Sequence, residues 1–230
     1  MANSNVDNVW DQIVETSKTA SAFSEEDKVL APLLPEIDLI ESQGIQYFVR
    51  SVLLEAGPFW TIPSSFSGKY HPPDEHGVGG NVLHTKRVVR VASLICESYE
   101  LEQHDTDIIL AACILHDVNK GVVWQEGQPA KYDPMHPYTV DKMVNKIREN
   151  HRLYSTEEMS SVLYLKDETM YQILRLIRCH MGPWSPIPET VPVTNSDMIV
   201  HLADNLASRL HEIVDGPDIK LERWLLAKDE

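Results

Sequence analysis

Ile108-Ile109-Leu110-Ala111-Ala112-Cys113-Ile114-Leu115-His116-Asp117 is an apolar helical run closed by an adjacent histidine and aspartate. Such a run belongs in an interior, where unsatisfied polar groups cost several kcal/mol unless they are paired or coordinated. A divalent cation satisfies both side chains at once. Four further residues extend the pattern: His84 in Gly79-Gly80-Asn81-Val82-Leu83-His84-Thr85, His136 in His136-Pro137-Tyr138-Thr139, His180 in Cys179-His180-Met181-Gly182, and Asp204 in His201-Leu202-Ala203-Asp204-Asn205. Each sits in or beside a segment with helical periodicity, as a metal site assembled between helices requires.

The 230 residues suit one large domain, or a domain with a helical extension. The excess of acid, 35 Asp and Glu against 20 Lys and Arg for a formal charge of −15, repels a nucleic-acid backbone. A small anionic substrate stays open, because bound cations reverse the local field. Met1-Ala2-Asn3-Ser4-Asn5-Val6-Asp7 has neither the basic nor the apolar region of a signal peptide, and no stretch approaches the roughly 18 apolar residues of a membrane span. A cytoplasmic protein is expected. Cys96, Cys113 and Cys179 lack Cys-x-x-Cys spacing, so reduced thiols are expected.

Three stretches are expected along the chain: an N-terminal helical extension over 1–64, a catalytic core over 65–212 and a C-terminal tail over 213–230 packing on the core. Helices are expected at about 5–20, 24–33 and 36–56 in the extension, with Glu25-Glu26-Asp27 after Ser24 at a helix N-terminus. The stretch from Ile62 to Gly80, rich in Pro, Gly and Ser, reads as a functional loop. Helices at about 81–101, 105–117, 136–152, 156–164, 168–181 and 195–213 follow. Strand character is confined to short pieces such as Val122-Val123-Trp124, so the fold class is all-α.

The order His84, His116-Asp117, His136, His180, Asp204 resembles the HD-domain metal-dependent phosphohydrolases, over a span from about Ser67 to Arg209. Gly79-Gly80-Asn81-Val82-Leu83-His84-Thr85 is similar to that family's Gly-Gly-Leu-x-x-His-Thr, and His116-Asp117-Val118-Asn119-Lys120 to the His-Asp-Ile-Gly-Lys of one subgroup. Asn119 replaces the glycine with the residue next most tolerant of a left-handed backbone. His136-Pro137 resembles the His-Pro of binuclear members. Cys179-His180-Met181-Gly182 resembles a His-His-Gly element whose second histidine is Met181, which argues against a cyclic-di-GMP substrate.

The resemblance implies an all-α helical bundle. It implies one metal held by His84, His116, Asp117 and Asp204, with Asp117 bridging to a second held by His136 and His180. Imidazole with carboxylate suits Fe, Mn, Ni, Co or Zn, with Mg as a further candidate. The expected activity is hydrolysis of a small phosphorylated molecule, a nucleotide or cyclic nucleotide, by hydroxide that the metals generate for attack on phosphorus. Asp117 and Lys120 are the expected catalytic residues. Lys69, Tyr70, His71, Arg87 and Trp184 are the expected substrate contacts, Arg87 as a phosphate clamp and Trp184 as a stacking surface. His201, one turn before Asp204, is placed to orient a ligand. No long nucleic acid and no membrane are expected as partners, and a homo-oligomer stays open. Three other activities are compatible with the residues: an HD-fold di-iron oxygenase cleaving a C–C or C–P bond, a nucleotide-binding regulatory domain, and an HD exoribonuclease.

Overall fold

The computed structural model describes residues 24–154, 165–185 and 187–214. The helices expected at about 5–20 and 156–164, and nearly all of the expected tail, lie outside them. Among the described residues the fold is helical: α1 Glu25–Leu30, α2 Leu34–Ile37, α3 Gln43–Leu54, α4 Gly80–Ser98, α5 Gln103–Leu115, α6 His136–Tyr154, α7 Asp167–Cys179 and α8 Asn195–Val214. A two-residue antiparallel ladder pairs β1 Gly121–Val122 with β2 Lys131–Tyr132.

The centre of the bundle is α5. Every residue from Asp107 to Leu115 is buried, because α3, α4, α7 and α8 all pack around it. A helix apolar on every face is stable only when neighbours cover it on all sides. Leu30, Leu33, Ile37, Ile45 and Leu53 from the N-terminal helices join the same apolar core as Ile109, Ile114, Ile173 and Val200. The described part of the expected extension therefore completes the core.

Two local expectations need correction. The single helix expected at about 36–56 is two, α2 and α3, separated around Leu39–Ser42. The amides of Glu41 and Ser42 donate instead to the buried carboxylate of Asp107, at 3.0 and 2.9 Å, so they do not continue a helical ladder. Asn119 is not left-handed. Its side-chain amide donates to Thr139 Oγ1 at 3.2 Å and ties the end of α5 to α6. At the start of α1 the expected cap is present, with Ser24 and Asp27 in a reciprocal capping box.

Candidate metal centre

The six residues of the His/Asp pattern come together from five helices. His84 lies inside α4, His116 and Asp117 follow the last turn of α5, His136 opens α6, His180 caps α7, and Asp204 lies within α8. All four histidines and Asp117 are buried, while the side chain of Asp204 is partly open to a cavity.

Asp117 is the hub. Its Oδ2 lies 3.3 Å from His116 Nε2, and its Oδ1 lies 3.0 Å from His136 Nε2 and 3.8 Å from His180 Nε2. The two carboxylate oxygens thus face different histidines. On the Oδ2 side, Asp204 Oδ1 is 2.9 Å from His84 Nε2 and 3.8 Å from His116 Nε2. Lys120, one turn beyond Asp117, donates from Nζ to Asp117 Oδ2 at 2.5 Å.

The imidazole tautomers follow from the main chain. His116, His136 and His180 each place Nδ1 on the carbonyl three residues earlier, at 2.7, 2.8 and 2.7 Å, on Cys113, Asp133 and Ile177. A carbonyl only accepts, so Nδ1 carries the proton and a neutral ring presents a bare lone pair at Nε2. Three such lone pairs converge on Asp117. Those of His136 and His180 are 3.4 Å apart, and His116 Nε2 is buried without a hydrogen-bond partner. Neutral rings packed as acceptors against one another and a carboxylate repel unless a proton or a metal cation lies among them. The donors are imidazole nitrogen and carboxylate oxygen, so the residues fit a divalent transition metal. Among the described residues three groups bring such donors close enough to share one ion: His84 with His116 and Asp117, Asp117 with His136 and His180, and His71 with Glu75 and His84.

The charges are strongly coupled. Burial disfavours the Asp117 carboxylate, yet Lys120 and His116 hold its pKa well below the usual range. Burial likewise opposes the charge on Lys120, and Asp117 reverses that and raises it. For His84 burial is outweighed by the carboxylates of Asp204 and Glu75, which push the imidazole up to about 9. His180 is driven the other way, to about 3, first by burial and then by His116.

Asp117, His136, His180 and Asp204 line a cavity of about 800 Å³, together with Tyr70, His71, Lys120, Tyr132, Trp184 and Arg209, while His84 and His116 do not line it. Of the expected substrate contacts, Tyr70, His71 and Trp184 therefore meet the cavity. Tyr70 and Trp184 are 61% and 60% exposed, and the Trp184 ring lies 5.7 Å from that of His201. Lys69 is exposed and does not line the cavity. Arg87 does not line it either, and is committed elsewhere: its guanidinium holds both oxygens of Asp74, at 3.1 and 2.6 Å, and Glu75 Oε1 at 2.5 Å. His201 donates Nδ1–H to the carbonyl of His180 at 2.8 Å and so fixes the turn after that residue. Ser65, Tyr132, Asn205 and Ser208 are among the lining residues to which the sequence reading gave no role. Tyr132 arrives on the small ladder, above His136 with ring centres 5.8 Å apart, and no periodicity announces that placement.

Residues 82–209, more than half of the chain, match the family model described as HD domain. No curated protein and no solved structure matches the chain. No helix among the described residues is long and apolar enough to cross a membrane.

Proposed function

The chain belongs to the HD-domain family, and from that premise we propose that it is a metal-dependent phosphohydrolase acting on a small phosphorylated molecule, a nucleotide or cyclic nucleotide. HD-domain proteins are mostly metal-dependent phosphohydrolases. The observation that carries the reading is the set of three Nε2 lone pairs directed at the two oxygens of Asp117. His84, His116, Asp117 and Asp204 would hold one cation, and Asp117, His136 and His180 a second. Cations bound there supply Lewis-acid stabilisation of phosphoryl oxygens and lower the pKa of a coordinated water toward neutrality.

The protein's own groups divide the remaining work. Asp117 orients both halves of the centre through separate oxygens. Lys120, at the cavity wall and raised in pKa, carries a positive charge for a phosphoryl oxygen where negative charge grows. Trp184 and Tyr70 offer ring faces for a base, while Ser65, Asn205 and Ser208 offer hydrogen bonds to a sugar. Arg209 is a second cation on the cavity wall, with no ion pair among the described residues, and serves an anionic group away from the centre.

Metal content of protein purified without chelator, paired with aerobic and anaerobic turnover of a nucleotide panel and a simple phosphodiester, tests the proposal. Oxygen-independent phosphate release by metal-loaded protein is expected. Two irons with oxygen consumption and no hydrolysis would replace it with the oxygenase reading.

A further inference from the structure

His84 differs from the other three histidines in what orients it. His116, His136 and His180 stand at helix ends, where a carbonyl three residues earlier is within reach of Nδ1. His84 is in the interior of α4, where the carbonyls are consumed by the helical ladder. Its Nδ1 is buried and has no well-aligned hydrogen-bond partner. What faces it is Glu75, whose Oε2 lies 3.4 Å away.

Glu75 is built to stay there. Its side chain is fully buried, a costly position for a carboxylate unless it is surrounded by donors. Oε1 accepts from Arg87, which Asp74 clamps from the other side, and Oε2 accepts from His71 Nδ1 at 2.9 Å. Its carbonyl receives both the amide and the hydroxyl of Ser64, at 3.0 and 3.1 Å. The first turn of α4 then presses directly on that carbonyl: a Cβ on Gly80 would lie 1.9 Å from it. The loop before α4 is thereby fixed to the helix that carries His84, with the carboxylate between His71 and His84, whose rings meet edge to face at 4.5 Å.

We propose that Glu75 is the positioning residue of the metal centre: by facing Nδ1 it keeps a proton on that nitrogen of His84, so that Nε2, which here donates to Asp204 Oδ1 at 2.9 Å, is the nitrogen left for a metal, and it fixes the cavity-lining His71 by the same oxygen. The inference rests on the metal-centre reading above. Glu75 is close enough to His71 and His84 to share an ion with them, but Arg87 already occupies its Oε1 and His71 its Oε2, which suits it to support the imidazoles rather than to coordinate. The role of a carboxylate behind a metal-bound imidazole is general, and its removal costs about 10–100-fold in metal affinity. Arg87, expected as a phosphate clamp, acts instead as the brace that keeps Glu75 in place.

The test is cobalt(II) titration of full-length wild type and Glu75→Gln, read by the visible absorption of the bound ion and by melting of the chelated proteins. Glu75→Gln is expected to weaken the His84 half of the centre about 10–100-fold and to shift its cobalt absorption. A purely structural Glu75 would lower the melting temperature of the chelated variant and leave affinity and spectrum unchanged, which overturns the proposal. Long-range proton–nitrogen correlation of the histidines in zinc-loaded wild type keeps the question open to refutation should the variant not fold. A protonated Nδ1 and a metal-bound Nε2 at His84 are expected; coordination through Nδ1 refutes the role. Wild type that binds no cobalt or zinc overturns the metal-centre reading itself, and this inference falls with it.

Discussion

His136 Nε2 and His180 Nε2 stand 3.4 Å apart, and each ring donates its Nδ1–H to a main-chain carbonyl. While both rings are neutral, neither nitrogen has a proton to offer the other, and a cation between them relieves the repulsion. Both point at Asp117 Oδ1, while His116 points at Oδ2. The half of the centre built by His136 and His180 is therefore separable from the half built by His84, His116 and Asp204. His180→Ala is expected to retain about one of two metals per chain, and Asp117→Ala to lose both together with turnover. Elemental analysis after exhaustive dialysis checks this. Two metals retained in His180→Ala would refute the division.

Lys120 is one turn from Asp117, with its ammonium 2.5 Å from Oδ2 and on the cavity wall. Lys120→Met keeps the length of the side chain and removes the charge. Turnover is expected to fall about 100–1,000-fold, the cost of deleting one group that stabilises developing charge. Metal content should be unchanged, since the ligands are untouched. Unaltered kcat would leave Lys120 as a structural counter-ion only.

The central helix, the six His/Asp positions and the all-α class were legible in the sequence because burial and helical period are local signals. What packs behind these side chains was not. Glu75 lies in Pro73-Asp74-Glu75-His76, a loop with four ionisable or proline residues and no periodicity, and its partners His71, Arg87 and His84 reach it only through the turn. Arg87 illustrates the consequence. Its spacing from His84 gives the correct helix but not the direction of its guanidinium, which Asp74 and Glu75 decide. The break before α3 was hidden for the same reason, since its amides answer a carboxylate more than 60 positions away in Asp107.

Gly182 is the counterpart of Gly80 at the other end of the site. Its φ is +56°, and a Cβ there would lie 2.3 Å from the ring of His201, which holds the carbonyl of His180. Gly182→Ala must both accept a left-handed backbone and displace that ring. A loss of about 1–3 kcal/mol is expected from overpacking, with a weaker second metal because the turn carrying His180 shifts. Denaturant unfolding and metal titration of the variant check both parts. A variant as stable as wild type would show that the turn relaxes freely.

The chelated protein should be most stable near pH 6.5, between two histidines displaced in opposite directions. Burial is outweighed by the Asp204 and Glu75 carboxylates, which bring His84 to about 9, so its contribution is complete below the unfolded value of about 6.5 and is lost as pH rises through 9. His180, held at about 3 by burial and by His116, contributes in the reverse sense: present above about 6.5, it fades as pH falls toward 3 while the unfolded chain takes up the proton. Asp117 and Asp204, depressed against burial by the surrounding cations and imidazoles, steepen the acid side below about 4. Melting temperature against pH in the presence of chelator gives the profile. His84→Asn is expected to flatten the alkaline limb and leave the acid limb in place, whereas an unchanged alkaline limb would assign it to other groups.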